Sequence, residues 1–191
     1  MADASTMTKS STWSALAGDY SIDPVHSQIG FSVRHAMVTN VHGKFEKAQG
    51  NIHIDGSDVS QSTVEVTVET ASISTGTADR DTHLRSADFF DAEKFPAITF
   101  KSTRITPVDD ETVKVAGDLT MHGVTNPVEL TVTLTGSGMD AYGKERIGFE
   151  GGTTINRKDW NLTWNVAIET GGVLVSEKVK LELDIAAVKN S

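Results

Sequence analysis

Serine and threonine are the hydroxyl nucleophiles that this sequence offers, since cysteine is absent, and its histidines are candidate bases and metal ligands. The histidines stand apart, without the His-x-His or HExxH spacing that brings two imidazoles onto one metal ion. They are His26, His35, His42, His53, His83 and His122. The sequence therefore predicts no metal site, and the lack of cysteine excludes disulfides and thiolate ligands.

No stretch of the chain has the arrangement of a nucleophilic enzyme. A nucleophile needs a base and an orienting acid that converge on it. The chain has no Gly-x-Ser-x-Gly turn, and its serines and threonines are spread as on exposed strand faces. We therefore predict no catalytic residues.

The charge balance narrows the range of partners. The chain carries 26 acidic and 17 basic residues, a formal charge of -9, and has no run of basic residues that could meet a phosphate backbone. No window approaches the roughly 18 apolar residues of a membrane span. We expect neither nucleic-acid binding nor stable membrane insertion.

Alternation of apolar and polar residues dominates the chain, and a period of two is typical of strands with one buried and one solvated face. The clearest runs cover residues 29–33, 64–68, 113–121, 128–134 and 179–185. Turn-forming residues stand at 56–58, 107–110, 126–127, 136–138 and 171–172. About eight strands at this spacing predict an all-β sandwich or barrel.

Two segments break the alternation. Residues 77–91 carry Leu84, Ala87 and Phe90 at helical intervals, with acidic residues in the first turn. Residues 157–161 could form a further helical turn. We therefore predict an all-β barrel of about eight antiparallel strands with one or two short helices. Such a barrel is either filled by side chains or holds one small ligand, and periodicity does not decide between the two.

The first 18 residues differ from the rest of the chain. They are rich in Ser, Thr and Ala, with one Lys and no apolar segment of the length that a secretory signal needs. We predict a flexible leader over residues 1–18, one domain over residues 19–188 and a cytoplasmic location. A secreted or periplasmic protein whose signal had been removed would look the same.

Five stretches, in order along nearly the whole chain, resemble the YceI-like family. They are residues 20–35 (YSIDPVHSQIGFSVRH), 43–45 (GKF), 75–100 (containing RDTHLRSADFF and FPAITF), 115–128 (VAGDLTMHGVTNPV) and 155–159 (INRKD). The family pattern then continues with an aromatic residue and a glycine, whereas this chain has Trp160 and Asn161, so the local turn is expected to differ.

The resemblance implies an extended eight-stranded antiparallel, lipocalin-like barrel that encloses a polyisoprenoid, a quinone-like molecule or another long amphiphile. It implies a binding protein without a cofactor, rather than a catalyst. Many relatives are exported, and this chain departs from them in showing no signal.

The tail of such a ligand needs a dry tube, whose candidate lining residues face inward or lie on the predicted helix. They are Phe31, Val33, Phe45, Phe89, Phe90, Phe100, Leu119, Phe149 and Trp164. Simple core packing would explain each of them equally well. His35 shares a strand face with Phe31 and Val33, so we expect it at the barrel end, where it suits a quinone carbonyl or phosphate head. A histidine that merely ends a strand is the alternative for His35.

Other polar residues are interpreted as structural. His26 and Ser27 are expected to fix the turn beside Pro24. The pairs Arg80–Asp81 and Arg157–Asp159 are expected to tie a lid to the strands through ion pairs.

The sequence thus favours a protein that sequesters or carries a polyisoprenoid, an isoprenoid quinone or a similar lipid. Two alternatives remain open. One is an enzyme that acts on an enclosed hydrophobic substrate, with His35 or His26 as the general base. The other is a structural or stress-related protein with a filled barrel. Exposed edges near the barrel mouth are compatible with a homodimer, although nothing in the pattern demands one.

Overall fold

The computed structural model describes residues 12–169 and 171–191, whose strands form one antiparallel sheet. The strands are β1 (Gly18–Ile22), β2 (Gln28–His35), β3 (Thr39–Phe45), β4 (Ala48–Ile54), β5 (Thr63–Glu69), β6 (Ile73–Ser74), β7 (Ala97–Pro107), β8 (Thr112–Met121), β9 (Val124–Met139), β10 (Glu145–Asn156) and β11 (Val175–Lys189). The helices are α1 (Thr12–Ala15) and α2 (Ala78–Arg85), with 3-10 helices at Val59–Gln61, Thr70–Ser72 and Arg157–Trp160.

Pairing between β1 and β11 closes the sheet into a barrel. Around the barrel the order is β1, β4, β5, β7, β8, β9, β10 and β11, and every neighbouring pair is antiparallel. At the closure Tyr20 pairs with Lys189 and Ile22 pairs with Ala187. The predicted eight-stranded antiparallel barrel with short helices is confirmed.

The remaining strands continue three of the eight wall strands. Residues 187–189 of β11 pair with β1, while residues 175–184 pair with β2, which in turn pairs with β3 and then β6. The β1/β2 wall strand is therefore interrupted at residues 23–27. Ser27 bridges this interruption, because its hydroxyl donates to the Ala186 carbonyl and accepts from the Ala186 amide, both at 3.0 Å.

The two ends of the barrel are built differently. Because neighbouring strands run in opposite directions, one end collects α1, the 3-10 helix Val59–Gln61 and the turns at 107–112 and 139–144. We call it the α1 end. The other, the α2 end, collects the turns at 36–38 and 122–123, the segment 70–96 that carries α2, and the loop 157–174.

Helix α1 caps its end of the barrel. Trp13 and Leu16 are buried, and the Tyr20 hydroxyl donates a 2.9 Å hydrogen bond to the Leu16 carbonyl. Residues 12–18 therefore pack on the barrel, which corrects the predicted leader for that part of the chain, while residues 1–11 lie outside the described residues. The spacing of Trp13 and Leu16 is the helical signal that the sequence analysis passed over.

Two predicted turns are strand instead. Residues 126–127 lie inside β9, where Pro127 pairs with Asp118 of β8. Strand β10 pairs with β9 only from Thr131 onward, so no ladder bond on that side needs the amide hydrogen that proline lacks. Residues 136–138 also belong to β9, which runs on to Met139 beside β10.

The two predicted irregular segments contain α2 and the 3-10 helix Arg157–Trp160. Thr75 holds the start of α2: its hydroxyl donates to Asp81 Oδ1 at 2.5 Å and accepts from Arg80 Nε at 2.7 Å. The expectation that Arg80 and Asp81 tie a lid to the strands through ion pairs is wrong, because both side chains bond to Thr75 instead. Among the described residues, no helix is long and apolar enough to cross a membrane.

Arg146 joins β10 to the β9–β10 turn and to the interruption of the first wall strand. Its guanidinium lies 2.5 Å from Asp23 Oδ2 and 2.7 Å from Asp140 Oδ2. Hydrogen bonds from Arg146 lower the pKa of Asp140 to about 2 and also hold the pKa of Asp23 below its usual range. Both carboxylates thus stabilise the fold in their charged form.

Arg146→Met is expected to lower the urea midpoint of unfolding at pH 7. The stabilisation is present above the unfolded pKa of about 3.9 and is lost as the pH falls toward the depressed folded values. The deficit of the variant should therefore shrink between pH 4 and about pH 2.5. Urea unfolding followed by circular dichroism at pH 4 and at about pH 2.5 measures the deficit. An equal deficit at these two pH values would contradict the role assigned to Arg146.

Candidate functional site

The barrel encloses a cavity with a volume of about 270 Å³. Inward-facing residues of all eight wall strands line it, and the lining is apolar or glycine except for Ser62, Glu150 and Arg157. An apolar cavity of about 150 Å³ stays dry and admits benzene. The interior of this barrel is therefore not filled, and it has room for an apolar molecule.

Eight of the ten candidate residues lie on the cavity wall. They are Phe31, Val33, Phe45, Phe89, Phe90, Phe100, Leu119 and Phe149. Their placement follows from strand parity for the wall strands, and Phe89 and Phe90 reach the cavity from the segment after α2. That they contact a ligand stays a prediction.

His35 does not line the cavity, which corrects the expectation that it enters the barrel. It is exposed at the end of β2, where it pairs with Thr39, and the cavity wall on this strand ends at Val33. Alternation along β2 predicts that residues 31, 33 and 35 share a face, but the cavity lining on this strand stops two residues before His35, at Val33.

Trp164 is also absent from the cavity lining. Its ring centroid lies 5.1 Å from that of Phe89 and 4.8 Å from that of His83, and His83 Nε2 lies 2.8 Å from Asp88 Oδ2. Trp164 therefore fastens the loop 157–174 to the segment that carries α2. We call His83, Phe89 and Trp164 the aromatic latch.

Two glycines let aromatic rings cover the wall. A Cβ atom at Gly43 would stand 2.3 Å from the ring of Phe31, its partner across β2 and β3, and one at Gly117 would stand 2.5 Å from the ring of Phe100. Each ring thus occupies the place of a missing side chain, as aromatic residues do beside strand glycines. The rings of Phe31 and Phe100 therefore lie against the wall of the barrel.

The cavity is sealed at the α1 end and looser at the α2 end. At the α1 end Trp13 stacks on Phe149, with ring planes 9° apart, and both residues are buried. Toward the α2 end, Leu84, Phe90 and Val175 are only half-buried.

Arg157 is a charged residue of the lining that is nearly fully buried. It donates from Nε to the Ser176 carbonyl at 2.9 Å, and from its terminal nitrogens to the carbonyls of Leu162 and Val175. Burial lowers its pKa. The expected ion pair with Asp159 is not among those of the described residues, so Arg157 fixes the loop through carbonyl dipoles.

The sequence analysis missed several lining residues that the loops supply. Trp13 comes from α1, Leu84 from α2, and Arg157 and Leu162 from the loop 157–174. Leu84 had a signal, its place on the apolar side of the predicted helix. Trp13 also had one, its helical spacing to Leu16, whereas Arg157 and Leu162 had none, because which loop side chain turns inward depends on tertiary packing.

The enzyme alternative gains no support from the geometry. No histidine of the described residues lines the cavity. His26, one of the two proposed bases, is largely exposed beside Asp23, and His35 is exposed at the end of its strand. In the described part of the chain, no three potential metal-ligating side chains come together.

A closed eight-stranded meander around an apolar cavity defines a lipocalin-like barrel. Residues 20–187 match the model of the YceI-like domain family. The chain belongs to the YceI-like family, as the sequence resemblance predicted.

Relatives and solved structures agree with this assignment. A UPF0312 protein of Pseudomonas putida is 36% identical over 177 residues, which cover 92% of this chain and 88% of the relative. A YceI protein of Campylobacter jejuni is 30% identical, with a TM-score of 0.72 over 83% of this chain and 90% of its own. A polyisoprenoid binding domain from Saccharophagus degradans shares the fold, with a TM-score of 0.68, 17% identity and coverage of 90% and 98%.

Gly43→Ala and Gly117→Ala are expected to differ in their effects. At Gly43 the three atoms nearest to the new methyl group all belong to the ring of Phe31, which can turn toward the lumen, so stability should change by less than about 1.5 kcal/mol. At Gly117 it also meets the Lys101 carbonyl at 2.5 Å, so we expect a loss of about 1–3 kcal/mol.

Urea unfolding measures both changes, and a crystal structure of Gly43→Ala should show a smaller cavity. Gly136→Ala is the matched control, since a methyl group there meets nothing within 4 Å. Equal destabilisation at positions 43 and 117 would show that the two glycines are not used as described.

Proposed function

We propose that this protein binds one long apolar amphiphile, such as a polyisoprenoid, an isoprenoid quinone or a similar lipid, inside its barrel. The observation that carries the proposal is the apolar cavity of about 270 Å³ whose wall reaches from α1 to α2. Binding and carrying, rather than chemical conversion, suit a lining with no histidine among its described residues.

The shape of the wall favours a chain-like ligand. On β8 the lining runs from Val113 to Met121, a strand length of about 27 Å at the usual rise per residue. With the strand tilt of barrels of this kind, the lined axis is about 20 Å long. A volume of this size spread over such a length fits one extended chain better than a compact molecule.

The chemistry of the wall favours a hydrocarbon. Along its length the cavity offers side chains of Ile, Val, Leu and Phe, which cannot satisfy polar groups on a ligand. A sugar or peptide placed there would lose its hydrogen bonds to water without replacement. Similarity to the polyisoprenoid binding domain of Saccharophagus degradans supports the same ligand class.

Val179→Trp is expected to lower the affinity for a labelled prenol at least tenfold. Val179 is a half-buried wall residue, so a tryptophan there would occupy the lumen. Titration of delipidated protein measures the affinity, and native mass spectrometry of detergent-free protein detects a co-purified lipid.

Lys180→Trp is the matched control for this variant. Lys180 is the next residue on β11, exposed on the outer face, so the same bulky side chain is added without entering the barrel. We expect binding at the level of the unmodified protein. A folded Val179→Trp protein that binds prenol as tightly as its control would count against the proposal.

Affinity is also expected to rise with ligand length until the lumen is full. Burial of each methylene is worth about 0.8 kcal/mol, which corresponds to roughly fourfold in Kd. Calorimetry with single-chain amphiphiles of one head group and increasing length should show this rise and then a plateau, with a negative heat-capacity change. Affinity that follows the head group and ignores chain length would contradict a tail-binding cavity.

A further inference from the structure

We propose that the α2 end docks on the surface of a neutral phospholipid bilayer through an apolar rim of Met37, Val38 and Val166. The inference rests on the proposed function, because it supplies the route by which a water-insoluble ligand enters the cavity.

The rim consists of large apolar side chains that are left in water. Met37 is 58% exposed, Val38 is 73% exposed and Val166 is 48% exposed. They come from two loops that touch, since the Ala36 amide donates to the Leu174 carbonyl at 2.7 Å. In addition, a Cβ atom at Gly172 would lie 3.4 Å from Met37 Cγ. The Leu174 amide in turn donates to the Val166 carbonyl at 2.9 Å, so the three residues lie on neighbouring segments at this end of the barrel.

The turn that presents Met37 is strained. Ala36 and Met37 have φ values of 49° and 62°, and the Val38 amide donates to the His35 carbonyl at 3.0 Å. Two successive positive φ values in a hairpin turn favour Asn-Gly. Here alanine and methionine occupy these positions, and strain of this kind persists where function requires the residue. The turn holds an apolar side chain at its tip against its own backbone preference.

The rim is continuous with the cavity wall. Val33 stands shortly before the strained turn and Val175 directly after the loop, and both line the cavity. Val175 pairs with His35, so the two loops leave the barrel side by side. A lipid tail that moved from a bilayer across this rim would reach the lumen without passing through bulk water, where its exposure is unfavourable.

Charge selects the kind of bilayer. Residues 34–45 and 161–174 contain two basic residues, Arg34 and Lys44, and one acidic residue, Glu169, although the chain carries -9. These two segments therefore have a formal charge of +1, in contrast to the acidic chain as a whole. The neighbouring segment 70–96, which carries α2, has five acidic and three basic residues, and anionic lipid would repel this acidic excess. A bilayer of zwitterionic phosphatidylcholine has no net charge, so it suits both the rim segments and the segment with α2.

The double variant Met37→Asp/Val38→Asp tests the rim by flotation with phosphatidylcholine vesicles. Aspartate tolerates the left-handed backbone at position 37 better than methionine does, so the fold should persist. The matched control is Val108→Asp/Met139→Asp, which charges two exposed apolar residues at the α1 end. We expect the unmodified protein and the control to float, and the rim variant to float at least tenfold less.

Uptake of a labelled prenol separates this inference from the proposed function. Uptake from vesicles should slow at least tenfold in the rim variant, while loading from a dilute ethanol dispersion should be unchanged. Three results would overturn the docking surface but not the proposed function. The first is prenol binding by an unmodified protein that does not float with the vesicles. The others are flotation with phosphatidylglycerol vesicles alone and flotation that is undiminished in the rim variant. Flotation without any prenol binding would overturn the proposed function and leave the docking surface intact.

Discussion

The hydrogen bonds between β1 and β11 close the sheet, and the radius that closure sets decides what the interior can contain. With eight wall strands the interior is just wide enough for side chains to meet or for one slender ligand. The side chains decide between these outcomes. Gly43 and Gly117 let the rings of Phe31 and Phe100 cover the wall, and a cavity of about 270 Å³ remains.

The two ends of the barrel then differ in role: the α1 end stabilises the closed barrel, and the α2 end is the proposed entrance to the cavity. At the α1 end, Trp13 stacks on Phe149 and Arg146 bonds two carboxylates, so closely packed groups hold it shut. At the α2 end, the aromatic latch joins two loops through ring contacts, with half-buried residues beneath it. Opening the latch would break few hydrogen bonds of the sheet. Regions of this kind have the lowest local stability in a fold, which is where ligand exchange belongs.

Strand alternation predicted the barrel and most of the wall because parity is a property of the local backbone. It did not predict where strands and cavity end. Pro127 signals a turn in isolation, yet it lies within β9 because β10 does not reach that far along its neighbour. His35 has inward parity, yet the cavity stops at Val33. Trp164 was expected among the inward-facing residues, yet its ring contacts Phe89 from outside the cavity lining. These outcomes depend on strand offsets and loop paths, which have no local signature.

Arg157 shows how the barrel tolerates a charge beside an apolar cavity. Its guanidinium donates to the Leu162 carbonyl of the loop that it anchors and to the Val175 and Ser176 carbonyls at the start of β11, so its charge is solvated by fixed dipoles rather than by a ligand. The lumen itself thus presents almost uniform hydrocarbon. A wall of this kind exerts little directional preference, since dispersion and water exclusion act alike on any apolar chain. Length and thickness of the chain, rather than the identity of its head group, are then the properties on which this barrel can discriminate.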